Sequence, residues 1–175
     1  MEFNHLLITL IEWQKNIQKR DIKHEHSKGI QIMEIHDSIS ISQSPEKIWN
    51  FWALVTTDVQ WRDGITKAEL TSQPPYGVGS TGIHFHKDLG PMPWTIIKWE
   101  DGRHMEWVFE DSRMKGAIGF YRVEPENDGS RVTMQSKMAL TFFMRIIMVI
   151  MRGIIKKSIK GDLHKLKAIM EKQES

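Results

Sequence analysis

Downstream of Gly64 the chain passes through six consecutive strand-like segments with no room between them for a crossover. They run from Ile65 to Ser72, Ser80 to Lys87, Trp94 to Glu100, His104 to Glu110, Gly116 to Val123 and Arg131 to Leu140. Turn signals divide them: Pro74-Pro75-Tyr76-Gly77, the stretch Asp88 to Pro93 with Gly90 and two prolines, Asp101-Gly102, and Asn127-Asp128-Gly129. Parallel neighbours need a connection of about a dozen residues or more. These connections are too short, so an antiparallel meander is the arrangement they permit.

The flanking segments add helices. Ile35, Ile39 and Ile41 alternate with His36, Ser38 and Ser40, which predicts a further strand over Ile30 to Ser42. Ser44 can cap a helix and Pro45 suits its first position, and Ile48, Trp49, Phe51, Trp52 and Leu54 follow. A second short helix or turn holds Val59 and Trp61 before Asp63-Gly64 breaks it. At the other end, Phe142 to Lys172 reads as one long helix. Its first half is apolar almost all round, the pattern of a helix buried on several sides. Its second half sets Ile155, Ile159, Leu163, Leu166 and Met170 against Lys156, Lys160, Lys165 and Lys167. Met1 to Ile22 carries Phe3, Leu6, Leu7, Leu10, Trp13 and Ile17 on one helical stripe, followed by a charged linker. The expected division is therefore an appendage over residues 1–29 and the domain proper over 30–175. Met33, at the domain edge, offers an alternative start.

Composition narrows the chemistry. The 175 residues suffice for one domain with a real core, and the absence of cysteine excludes disulfides, thiol nucleophiles and zinc–thiolate sites. That absence fits a reducing cytoplasm. A net charge of +2 gives no expectation of nucleic-acid binding. The apolar run Met138 to Met151 is broken by Thr141 and Arg145, short of the about 20 residues a membrane span needs. The N-terminus lacks the basic start and cleavage site of a signal peptide. A soluble, cytoplasmic protein is expected.

Particular residues point to a family. Ile39-Ser40-Ile41 followed by Ser44-Pro45-Glu46-Lys47-Ile48-Trp49 resembles a first strand entering a first helix in the helix-grip (SRPBCC) superfamily. That superfamily includes START-related lipid-transfer domains, polyketide cyclases and the birch-pollen allergen. Trp61 is similar to the tryptophan that follows its helical pair, and Gly77-Val78-Gly79-Ser80 to its turn into the third strand. Leu163-His164-Lys165-Leu166-Lys167 to Glu171 looks like its closing helix. The resemblance covers Ile30 to about Glu171. It implies an α+β helix-grip fold, with a curved antiparallel sheet of about seven strands wrapped around the long C-terminal helix. These are fold motifs, and members of the superfamily differ in function.

A strongly curved sheet cannot pack evenly on a straight helix, so large side chains or a ligand must fill the gap. The expected pocket residues are Asp37, Trp61, Ile97, Trp99, Met105, Trp107, Phe109, Tyr121, Met134 and Met138. Met105, Trp107 and Phe109 share one strand face, and the methionines offer adaptable thioethers. Asp37 lies on an apolar strand face, where a ligand-orienting carboxylate and a backbone-bonded strand-end aspartate are both open readings. Tyr121 is the other weak catalytic candidate, as a hydrogen-bond donor into the cavity. The hairpin at Asp101-Gly102 sets the facing of the strand before it. A two-residue loop turns Trp94, Ile96, Lys98 and Glu100 inward. A three-residue loop places Trp99 opposite Met105 and turns Thr95, Ile97 and Trp99 inward, and is preferred because it leaves Lys98 and Glu100 in water.

Ile83 and Phe85 are expected to claim the buried face of their strand, leaving His84 and His86 outside without a third ligand. No metal site and no cofactor are expected. The basic, apolar stretch Phe142 to Lys160 reads as a core helix with a basic edge, or as a peripheral contact with an anionic membrane. The leading functional expectation is a non-enzymatic binder or carrier of a lipid-like or aromatic small molecule. The alternatives are a polyketide cyclase/dehydrase-like enzyme and an interaction module whose cavity is filled by its own side chains.

Overall fold

The computed structural model describes residues 31–110, 114–140 and 142–172. The helix expected over Met1 to Ile22 lies outside them. The strands are β1 (Gln31–Ile41), β2 (Ile65–Leu70), β3 (Thr81–His86), β4 (Gly90–Glu100), β5 (His104–Phe109), β6 (Ile118–Glu126) and β7 (Gly129–Leu140). The helices are α1 (Pro45–Trp52), α2 (Asp58–Trp61) and α3 (Phe142–Lys172), with a 3₁₀ turn over Val55–Thr57. The strands form one seven-stranded sheet in the order β1-β7-β6-β5-β4-β3-β2. Every pairing is antiparallel. The meander is complete from β2 to β7, and β1 returns to pair with β7 from Gln31 opposite Leu140 to Ile41 opposite Ser130. This is the α+β helix-grip fold.

The short helices bridge the two sheet edges. Ser44 Oγ accepts the Lys47 N–H at 3.3 Å, Pro45 opens α1, and Glu46 lies in its first turn, where the helix dipole favours an acid. Ile48, Trp49 and Trp52 form the buried face of α1. From Met151 onward α3 buries Met151, Ile159, Leu163, Leu166 and Met170 against the core and leaves Arg152, Lys156, Lys157 and Lys160 exposed. None of the helices, among the described residues, is long and apolar enough to cross a membrane.

Tryptophans lying flat on glycines thicken the inner face of the sheet. Gly82 pairs with Trp94 across β3 and β4, and Gly119 with Trp107 across β5 and β6. A Cβ at Gly82 would stand 2.2 Å from the Trp94 ring and 2.5 Å from the Glu69 carbonyl oxygen. One at Gly119 would stand 2.4 Å from the Trp107 ring. Glycine inside a strand often marks such a close approach.

Strand β4 departs from the expected pattern twice. It begins at Gly90, so Pro91 and Pro93 lie within a strand and not in a loop. The Pro93 carbonyl accepts the Glu110 N–H at 2.9 Å, so its nitrogen faces the same side, beyond the end of β5, where no donor is required. The second departure is a register shift between Ile96 and Lys98. Before it Trp94 and Ile96 face inward; after it Trp99 pairs with Met105. The three-residue loop is present, with Gly102 at φ +73° and Glu100 opposite His104. Thr95 and Ile97 nevertheless do not face the core, contrary to the expectation from sequence. The bulge absorbs Ile97, which is 42% exposed, and so both halves of β4 keep their large residues inside.

Two glycine substitutions should move stability in opposite directions. Gly82→Ala must displace the Trp94 ring against a backbone oxygen, and overpacking of this kind costs about 1–3 kcal/mol. Gly153→Ala, in α3 with no atom of the described residues within 4 Å of the new Cβ, should gain about 1 kcal/mol from helix propensity. Urea denaturation of both variants checks the signs.

Candidate functional site

Beneath the 3₁₀ turn and α2 lies a buried polar cluster that the sequence pattern does not assemble. Asp58 opens α2 and is fully buried. Its Oδ2 accepts Arg62 Nη1 at 3.1 Å, one turn along, and the Tyr121 hydroxyl at 3.0 Å from β6. His84 Nε2, from β3, lies 3.0 Å from the same oxygen, within ion-pair distance but off the line of a well-directed hydrogen bond. Arg62 Nη1 also donates to the Tyr121 oxygen at 3.3 Å. On the α3 side, Asp162 accepts the Asp63 N–H at 3.1 Å, and Lys165 pairs with the Asp63 carboxylate. One connected set of polar contacts thus joins α2, β3 and β6, and the next residue along from Arg62 is tied to α3.

Charge states follow from the surroundings. Burial pushes the Asp58 carboxyl up, but the His84 contact and the Arg62 charge outweigh it and hold it below the usual carboxylate range. Burial presses the His84 ring down, and Asp58 only partly restores it, so the imidazole is neutral near pH 7. Burial, with Asp58 adding to it and Arg62 opposing it, raises the Tyr121 phenol well above its ordinary value. Burial also raises Asp162, against the backbone hydrogen bond from Asp63. Arg62 stays charged: burial opposes its cation, while Tyr121, Asp58 and Asp162 favour it. The cluster therefore holds an ionised Asp58–Arg62 pair, a neutral His84 and a protonated Tyr121.

A small cavity of about 10 Å³ adjoins this cluster, lined by Val55, Asp58, His84, Trp94, Ile96, Met105, Trp107 and Tyr121. That is room for about one water. Rings meet each other around it. Trp52 stacks on Tyr121 with centroids 4.5 Å apart, and Trp107 stands edge-on to Tyr121 at 4.6 Å. Among the described residues, Asp58 Oδ1, His84 Nδ1 and the indole nitrogens of Trp94 and Trp107 have no hydrogen-bond partner although they are buried.

The structure sorts the residues expected from sequence. Met105, Trp107 and Tyr121 line the cavity. Trp61 is buried beside it, 5.6 Å from Tyr121 between ring centroids. Phe109 stands edge-on to Trp107 at 6.5 Å, and Met134 lies in the same core. Trp99 is half-buried and edge-on to Trp49 at 5.1 Å, and Met138 is half-buried against the core. Ile97 points away from the pocket. Asp37 shares a row with Met134 and Tyr121 across β1, β7 and β6. Two strand spacings, about 10 Å, separate its backbone from that of Tyr121. Its carboxylate accepts the Ser38 N–H at 2.9 Å, the backbone-bonded alternative.

His84 reverses the expectation for β3. Gly82 and His84 are buried while Ile83 and Phe85 are only half-buried. The Trp94 ring over Gly82 claims the inner face, and Asp58 gives the imidazole a partner there. His86 is half-buried and caps the next turn, its Nδ1 accepting the Asp88 N–H at 3.1 Å. Asp58 and Arg62 are missed from sequence because Val59 and Trp61 dominate the pattern of α2; their i,i+4 spacing is the available signal.

A curved antiparallel sheet gripping a C-terminal helix, with an aromatic core between them, defines a fold of the hydrophobic ligand-binding type. The chain belongs to the polyketide cyclase / dehydrase and lipid transport family, whose model matches residues 33–171. Among solved structures it is similar to a protein of Thermus thermophilus (TM-score 0.67, 15% identity, covering 82% of this chain and 100% of that one). It is also similar to norcoclaurine synthase of Thalictrum flavum, solved with a transition-state analogue (0.64, 11%, 85% and 100%). The Aha1 dimer from Colwellia psychrerythraea is a further likeness (0.59, 19%, 79% and 96%). At these identities the likeness speaks for the fold. No curated protein matches the chain.

The charge states set how stability responds to pH and to substitution. His84 is neutral when buried and takes up a proton on unfolding. Its contribution is complete above the unfolded pKa of about 6.5 and is lost as pH falls below it, with a slope of at most about 1.4 kcal/mol per pH unit. Half-buried His86, also lowered by burial, adds in the same direction. Urea midpoints should fall between pH 7 and 5, and His84→Gln should flatten that slope. Separately, Asp58→Asn removes the hydrogen-bonded counter-charge of the largely buried Arg62, leaving it only Asp162, and should cost about 3 kcal/mol. The double variant Asp58→Leu/Arg62→Met should cost much less than the two single changes added together, as a double-mutant cycle would measure.

Proposed function

We propose that this protein binds a hydrophobic or aromatic small molecule in the space bounded by the 3₁₀ turn, α2 and the central strands, as a carrier and not as an enzyme. The observation that carries this reading is a mismatch at the cavity: an apolar, aromatic wall encloses polar atoms that have no partner. A buried donor or acceptor left unsatisfied costs about 1–3 kcal/mol. A core with no task beyond stability would do better with those atoms paired or replaced by carbon. The family description, which names lipid transport beside cyclases and dehydrases, supports the same reading.

A cavity of about 10 Å³ admits such a ligand only if its wall yields. Met105 lines it, and Met92 and Met134 lie in the same core. Thioether side chains repack at modest cost. The exposed Arg152, Lys156, Lys157 and Lys160 on α3 favour loading from an anionic membrane surface. A second reading draws on the ring-on-ring contacts of Trp52, Trp107 and Tyr121: the core is filled by its own side chains, and the protein acts through its surface. In an enzymatic version of the site, a bound substrate would surrender a proton to neutral His84 beside Asp58.

Native mass spectrometry of the protein as purified, followed by denaturing extraction, tests the carrier reading. An apolar compound at near-stoichiometric amount is the expected result. A thermal-shift panel of lipids and aromatics is the second arm. A ligand at about 100 times its Kd stabilises by about 2.7 kcal/mol, which raises Tm by about 5–10 °C for a domain of this size. A clean apo mass with a flat panel would overturn this reading in favour of the self-filled core.

A further inference from the structure

The unpartnered atoms at the cavity are not a random set, and their hydrogen-bonding character constrains what can meet them. Asp58 is an ionised carboxylate, so its free Oδ1 can only accept. His84 is neutral and holds its Nε2 3.0 Å from Asp58 Oδ2. At that distance an unprotonated Nε2 would set its partial negative charge against the carboxylate even off the hydrogen-bond axis, so the single ring proton sits on Nε2. Nδ1 is therefore a second bare acceptor. Both side chains are almost fully buried and both line the cavity. The indole N–H groups of Trp94 and Trp107, which line the same cavity, are donors without acceptors among the described residues.

We infer that the site selects a neutral ligand carrying a hydroxyl on an aromatic or similarly apolar body, the hydroxyl donating to Asp58 Oδ1 or His84 Nδ1. Only a group that both donates and accepts can serve the two kinds of orphan in this cavity. An ether or a ketone can accept from an indole N–H but leaves the carboxylate and imidazole bare. A hydrocarbon satisfies neither. A carboxylate ligand would meet the Asp58 charge, and an ammonium would add a second cation beside Arg62, already matched by Asp58 at 3.1 Å. A single water can occupy the same position when no ligand is bound, since the cavity has room for about one. The ligand hydroxyl then takes the place of that water.

This inference rests on the binding reading proposed above, and three related probes separate the two. The protein is titrated with naphthalene, 2-methoxynaphthalene and 2-naphthol, and the indole N–H resonances of Trp94 and Trp107 are followed by NMR. Non-specific burial in an apolar site favours the ether, because the naphthol must give up its hydration, so the order of affinities is diagnostic. The expected result is that 2-naphthol binds at least about tenfold more tightly than its methyl ether, a factor that one hydrogen bond to a charged or buried acceptor can supply. In His84→Phe that preference should shrink as one acceptor is lost. If this variant does not fold, the three probes on the natural chain still decide. Equal affinities for naphthol and ether, with both shifting the two resonances, would overturn the hydroxyl selectivity and leave the binding reading standing. No shift with any probe would overturn the hydroxyl-selective site, and with a clean apo mass and a flat lipid panel it would overturn the binding reading as well.

Discussion

The ionised pair Asp58–Arg62 is the interaction on which the rest of this structure depends. A carboxylate with no exposure to water is tolerable only because a guanidinium, a phenol and an imidazole surround it. Each of those partners comes from a different place: the same short helix, strand β6 and strand β3. A four-residue helix has little stability of its own. Here its position is set by charge and hydrogen bonds that reach across the sheet. Replacing such a pair by matched apolar groups is often neutral or better for stability. Its presence in the centre of an aromatic core is thus weak evidence of a stability role.

Around that pair the core is built on contrasts of size. Trp94 and Trp107 are among the largest side chains available and they lie on Gly82 and Gly119, the smallest. Flat rings on bare backbone let the sheet curve without opening a large void, and Tyr121 completes the layer between Trp52 and Trp107. The result is a dense aromatic floor with the few polar atoms concentrated at one point on it.

Much of the architecture was legible in the sequence because turn chemistry and alternation are local. Short connections fixed the meander, Ser44-Pro45 marked α1, and Met105, Trp107 and Phe109 announced one buried face of β5. What escaped was whatever depended on a partner from elsewhere in the chain. His84 looks like a surface residue beside Ile83 and Phe85 until Asp58 is placed against it. The facing of β4 could not be settled by choosing a loop length, because the bulge at Ile97 satisfies both alternatives in turn. Asp37, the acid that alternation singled out, sits one row-end away from the cluster, while the acid that matters there was hidden in a single turn of helix.

That bulge has a practical side. Ile97 belongs neither to the regular ladder nor to the core, yet its neighbour Ile96 touches the cavity directly. A side chain at this position lies outside the core while its backbone is joined directly to a residue of the pocket wall. It is therefore the natural place to attach a spectroscopic label: a probe there would report on movement of the wall without occupying the space it observes.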